Sequence, residues 1–167
     1  MNRPLFAWAL APLFFLLGGC YTFSGISIDP NVKTINVRYV ENRAPIVAPT
    51  LSPIFTQKLK DRITGQTGLT LTNSEEADLD MNGQITNYDV SVTAVQNTQT
   101  ATRNRLSITV NIVYTSRKNE KDNFTQSFTR FEDFPAEQSV QTAETQLIPK
   151  ISDALVEDIF NRAFANW

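Results

Sequence analysis

The chain has 167 residues, with 15 Lys and Arg against 17 Asp and Glu for a formal net charge of −2, no histidine and a single cysteine. That composition provides no overall basic field to hold nucleic acid. It also lacks the commonest metal ligand and neutral-pH proton carrier, and no disulfide can form within the chain.

The N-terminus reads as a secretory signal. Arg3 precedes an apolar run of 13 residues from Leu5 to Leu17, followed by Gly18, Gly19 and Cys20. This is a charged n-region, a short apolar stretch and small residues at a cleavage site. The run is too short for a helix crossing about 30 Å of hydrocarbon. Leu17-Gly18-Gly19-Cys20 resembles the lipobox of bacterial lipoproteins, in which the cysteine is acylated and becomes the mature N-terminus. Cleavage leaves 148 residues of net charge −3, enough for one domain with a core. Acyl chains gain about 0.8 kcal/mol per buried CH₂, and stable anchoring takes more than one. The expected organisation is a signal peptide over 1–19, a lipid-anchored segment over 20–31 and a single domain over 32–167. Acyl chains on Cys20, palmitate among them, are the only non-protein group expected, with no cofactor and no metal.

Val32 to Val40 alternates, with Ile35, Val37 and Tyr39 opposite Asn36 and Arg38, which predicts a half-buried strand. Glu41 to Pro49 reads as a loop. Leu51, Phe55, Leu59 and Ile63 recur every four residues as the stripe of a helix. Ser52 before Pro53 suits an N-cap and first turn, Thr50 serves equally, and Gly65 is the expected residue just past the helix end. Leu69 to Leu71 is a short strand. From Asp78 the apolar positions are odd (Leu79, Met81, Ile85) and from Tyr88 they are even (Tyr88, Val90, Val92), the mark of a β-bulge.

Gln96 to Asn104 is a polar loop with Arg103 and Arg105 at its end. Leu106, Ile108, Val110, Ile112 and Tyr114 then alternate with polar residues. Arg117 to Asp122 is a charged hairpin turn, and Phe124 and Phe128 continue on a further strand. The last element, from about Ser139 to Trp167, is a helix with Leu147, Ile151, Leu155, Ile159 and Ala163 in its stripe. Pro149 either kinks this helix or marks its start. The order β-α-β-β-β-β-α predicts an α+β two-layer sandwich, a four- to five-stranded mixed or antiparallel sheet with two helices packed on one face. The Ser, Thr and Asn face is left solvated or turned toward a partner.

Little in this sequence supports catalysis. Without histidine, and with Cys20 committed to lipid, no Ser-His or Cys-His pair exists. Asp78 and Asp80 lie on the polar side of a strand and Glu75-Glu76 in a turn, so solvated charge outweighs an acid/base or cation site. Arg117, Lys118 and Lys121 form a basic tip able to contact phosphate groups. If the strands alternate up and down, that tip shares its end of the sheet with the Arg43 loop. The 96–104 loop then shares its end with the start of the first strand and the lipid anchor.

The succession of the lipobox, "YTFSGISI", "VKTINVRYVENRAP", "PTLS", "ADLDMNGQITNYDVS", "NRLSITVNIVY", "FTRFEDF" and "LVEDIFNRAFANW" resembles the LptE family of lipopolysaccharide-assembly lipoproteins over Cys20 to Trp167. The resemblance implies a non-enzymatic lipoprotein on the periplasmic face of the outer membrane. It implies that the chain binds and plugs the LptD β-barrel and assists lipopolysaccharide delivery to the cell surface, with Cys20 as anchor. Direct contact with lipopolysaccharide phosphates would fall to Arg117, Lys118 and Lys121. The competing reading is an accessory periplasmic lipoprotein of a lipid-transport ABC system.

Overall fold

The computed structural model describes residues 28–93 and 103–165. The signal, Cys20 and most of the 96–104 loop lie outside them. The elements are β1 (Thr34–Val37), β2 (Glu41–Asn42), α1 (Leu51–Gln66), β3 (Thr70–Leu71), β4 (Leu79–Thr93), β5 (Arg103–Ser116), β6 (Phe124–Pro135) and α2 (Val140–Phe164). They build one six-stranded sheet in the order β3-β1-β4-β5-β6, with β2 also on β4. β1 is parallel to β3 and β4, and β2 is parallel to β4. β4, β5 and β6 are antiparallel neighbours. This is the expected α+β sandwich.

The sixth strand arises because the first expected strand is split. The Arg38 N–H still donates to the Met81 carbonyl, but that of Val40 turns to the Thr56 hydroxyl on α1. The alternation therefore slips, leaving Val40 buried and Tyr39 exposed, not inward as its phase suggested. Pairing resumes at Glu41–Asn42, inside the segment read as a loop.

Thr50 occupies the N-cap of α1 without a side-chain bond, placing Pro53 within the first turn, and Ser52 points into the core. Gly65 does not end the helix. Thr67 does, with its N–H and its hydroxyl both donating to the Ile63 carbonyl, at 2.9 and 2.7 Å. Its backbone is extended, so the freed carbonyl is satisfied without a left-handed residue and glycine has no special role there. The bulge falls where the change of phase put it, between Ile85 and Asn87. It rotates Tyr88 inward, where its hydroxyl donates to Glu144 of α2, and burial beside that carboxylate pushes the phenol pKa up.

α2 starts at Val140, where the Ser139 hydroxyl accepts the Thr142 N–H, and runs through Pro149. The helix therefore does not begin near the proline. α1 and α2 lie side by side and parallel, with Lys58 bonded to Asp153 at 2.6 Å and Arg62 3.9 Å from Glu157. Between helices and sheet lies one core that includes Phe55, Leu59, Ile85, Ile108, Ile112, Ile151 and Leu155. Gly83 packs closely there: a Cβ would sit 2.6 Å from Ile112 Cδ1 and 3.1 Å from the Asn111 carbonyl, so a larger residue forces Ile112 to shift.

Candidate partner-binding surface

Both helices cover the same side of the sheet, so among the described residues nothing covers the opposite face of β4, β5 and β6. Alternation decides what it carries, and strand pairing aligns those residues into rows. Asn82, Val113 and Thr125 form one row; Gln84, Asn111 and Ser127 the next; then Asn87, Thr109 and Thr129. The Thr109 and Thr129 hydroxyls bond at 2.9 Å, and the Ser127 hydroxyl lies 3.5 Å from Asn111 Oδ1. None of these nine side chains is charged.

Charge lies toward the two ends: Asp89 stands exposed across from Ser107, in the row next to these, and beyond it and at the other end the charges are paired. At one end Arg105 donates twice to Asp133, at 2.7 and 3.0 Å, and its guanidinium lies 3.8 Å from the Phe131 ring centroid. The pairing holds the Asp133 carboxyl below its usual range. Phe131 itself is 51% exposed. An aromatic ring with a stacked, fixed Arg is the kind of pair that anchors interfaces. At the other end Asp80 accepts from Asn36 and Arg38, each at 3.0 Å. Asp78 accepts the Lys33 and Thr34 N–H groups at 2.9 and 3.0 Å and the Thr34 hydroxyl at 3.0 Å. Those bonds, the backbone ones foremost, lower its pKa to about 2. Asp78 and Asp80 thus tie β1 to β4; the structure gives them a scaffolding task.

The basic tip stands at this second end. Arg117 donates to the Glu75 carbonyl, Lys118 lies 3.7 Å from Asp78, and Lys121 follows in a short 3-10 turn over Glu120–Asp122. A cavity of about 400 Å³ opens beside it, with Ile28, Val32, Tyr114 and Phe164 among its apolar lining and Asp29, Lys118 and Asp122 among its charged residues. The acids outnumber the lysine there, so the cavity is no anion cradle.

The tip's position overturns the expected arrangement of ends. Because β1 runs parallel to β4, Ile35 pairs with Leu79, which also pairs with Ser116. The start of the domain therefore lies beside the 117–122 tip, and the chain leading back to Cys20 leaves from that end. Arg43, whose N–H donates to the Ile85 carbonyl, sits midway along β4 and not beside the tip. Arg103 and Arg105 lie at the far end, about 45 Å away along β4 at roughly 3.3 Å per residue. The expected ends amount to β1 antiparallel to β4, whereas β1 runs parallel to both β3 and β4.

A family model described as LptE, Lipopolysaccharide-assembly, matches residues 32–163. No curated protein sequence matches the chain. Among solved structures, the hypothetical protein CT253 from Chlamydia trachomatis is 12% identical, covers 78% of this chain and 95% of its own, and superposes with a TM-score of 0.52. A minor lipoprotein from Acinetobacter baumannii is 18% identical, with 78% and 91% covered and a TM-score of 0.49. At 12% identity the likeness to CT253 is one of fold.

Proposed function

The chain belongs to the LptE lipopolysaccharide-assembly family, and from that premise we propose that it is an outer-membrane lipoprotein that occupies the lumen of an LptD-type barrel. The family is one of non-enzymatic envelope lipoproteins, so a role in lipopolysaccharide assembly follows from membership. In this reading Cys20, freed by removal of 1–19 and acylated, moors the domain 32–167 to the inner leaflet, facing the periplasm.

The bare sheet face carries the reading. Barrel lumens are polar and lined by side chains that alternate with the lipid-facing ones. A plug must therefore present hydroxyls and amides that exchange bonds with such a wall without leaving a charge unpaired. The nine uncharged residues of the three central rows are of that kind. The strands are also tall enough, since about 45 Å from the anchored end to the far end of β4 equals a bilayer with its headgroups, about 40–45 Å. Arg117, Lys118 and Lys121 would then meet lipopolysaccharide phosphates at the anchored end, as a local contact by a domain of net negative charge.

Affinity purification of the full-length lipoprotein from its own envelope tests this. The expected result is recovery with a large outer-membrane barrel and a triacylated Cys20 by mass spectrometry. Recovery with an inner-membrane permease, or an unmodified thiol, overturns it. Substituting Arg117, Lys118 and Lys121 together by Ser is expected to weaken lipopolysaccharide binding with folding intact.

A further inference from the structure

We propose that the free edge of β6 is a strand-addition site, taking an extended, uncharged and helix-free segment of the protein partner. The inference deepens the reading of a barrel-bound domain and rests on it.

The two edges of the sheet are built differently. One ends in β3, two residues long, which is a usual way to blunt an edge. The other ends in β6, whose twelve residues pair with β5 in unbroken register without a bulge. The direction of its backbone groups follows from the β4–β5 pairing. The Arg117 N–H donates to the Asp78 carbonyl, and the carbonyls of Thr109 and Arg103 meet side chains of β4. Odd residues of β5 thus face β4 and even ones face β6. The register joins Ile112 to Gln126 and Ile108 to Arg130, so the even residues of β6 bond β5. The odd ones, Thr125, Ser127, Thr129, Phe131 and Asp133, turn their backbone groups outward. Arg103 covers the Asp133 carbonyl at 3.3 Å. The other outward N–H and C=O groups have no partner among the described residues. Pro135, also odd, withholds an N–H that β5 does not need.

The occupant is defined by charge and by space. Every charged side chain of β6 is neutralised at home: Arg130 by Asp158 at 2.6 Å, Glu132 by Lys150 at 2.8 Å and Asp133 by Arg105. The edge continues the uncharged outer face, and a complementary strand is likewise uncharged. The first two of those pairs, with Arg162 and Gln126 at 3.3 Å, fix α2 over β6. A second copy pairing edge to edge would bring its own α2 over a strand only about 4.8 Å away, whereas packed helices need about 8–10 Å. That crowds a second copy paired with its helices on the same side, and favours a strand with nothing stacked on its inner side.

Hydrogen exchange of the full-length lipoprotein, alone and copurified with its barrel, tests the assignment. The expected result is that amides of Thr125, Ser127, Thr129 and Phe131 exchange freely alone and become at least tenfold slower in the complex. Unchanged exchange in a complex that does contain the barrel overturns the inference and leaves the barrel reading standing; absence of the barrel defeats both. Protection that rises with the concentration of the isolated protein assigns the edge to self-association and also overturns it. As a variant, Ser127→Pro removes one outward donor and spares the β5 bonds, whereas Ser127→Val keeps the donor. Recovery of the barrel is expected to be about tenfold lower for Pro than for Val, since both lose the hydroxyl and only Pro loses the edge donor. Equal recovery for both overturns the site, and if the Pro variant does not fold the exchange measurement decides.

Discussion

Along β5, Leu106, Ile108, Val110, Ile112 and Tyr114 are buried beneath the helices, while Ser107, Thr109, Asn111 and Val113, interleaved with them, lie on the bare side. The same backbone thus holds a hydrocarbon core on one face and a lattice of hydroxyls and amides on the other. Folding draws on the first face and leaves the second free to meet a partner. A period of two thus keeps core and outer surface on separate residues.

That separation can be broken most severely from the inside. Ile112→Ala is expected to cost about 2–5 kcal/mol, because a fully buried side chain leaves a cavity between the sheet and the helices; urea denaturation reads it. Gly83→Val, across the pair from Ile112, forces a branched side chain against Ile112 Cδ1 and the Asn111 carbonyl. It is expected to lose about 1–3 kcal/mol through overpacking, with the outer face chemically unchanged.

The end of the sheet gives a pH-dependent test. Asp78 has a folded-state pKa of about 2 against an ordinary 3.8. A carboxyl depressed by folding contributes stability that is present above its unfolded value and disappears as pH falls through the folded one. Denaturation midpoints measured from pH 5 to pH 2 are expected to fall for the natural chain. Asp78→Asn should be less stable at pH 5 and should lack that part of the slope. Smallest of all is the expected effect of Asn111→Ala on folding, within about 0.5 kcal/mol as for other surface changes. Under the proposed function, its association with a barrel should weaken nonetheless. A stability loss comparable to that of Ile112→Ala would show that the two faces are not independent.

Much of this fold was legible as hydrophobic period. The stripe Leu51, Phe55, Leu59, Ile63 placed α1, and the alternation from Leu106 to Tyr114 placed β5. The change from odd to even apolar positions around Thr86 located the bulge, because a register slip leaves its trace in phase. The polar outer face was readable for the same reason. The end of α1 was not, since Gly65 carries the usual local signal and only the fold shows that the Thr67 hydroxyl takes its place. Nor was the slip between Val37 and Val40, where a contact with Thr56 on another element outweighs the local alternation.

What the sequence determined by itself is therefore one-dimensional: which stretches are strands or helices, which side of each is apolar, and, through the lipobox and the ordered blocks, the family. Which strands are neighbours, and in which direction they run, was decided by tertiary structure. With β1 parallel to β4, the start of the described domain lies beside Lys118 and β6 forms an edge of the sheet. Strand direction and edge position depend on contacts between residues far apart in the chain, such as Ile35 with Leu79, and alternation along a single strand is the same whichever way its neighbour runs.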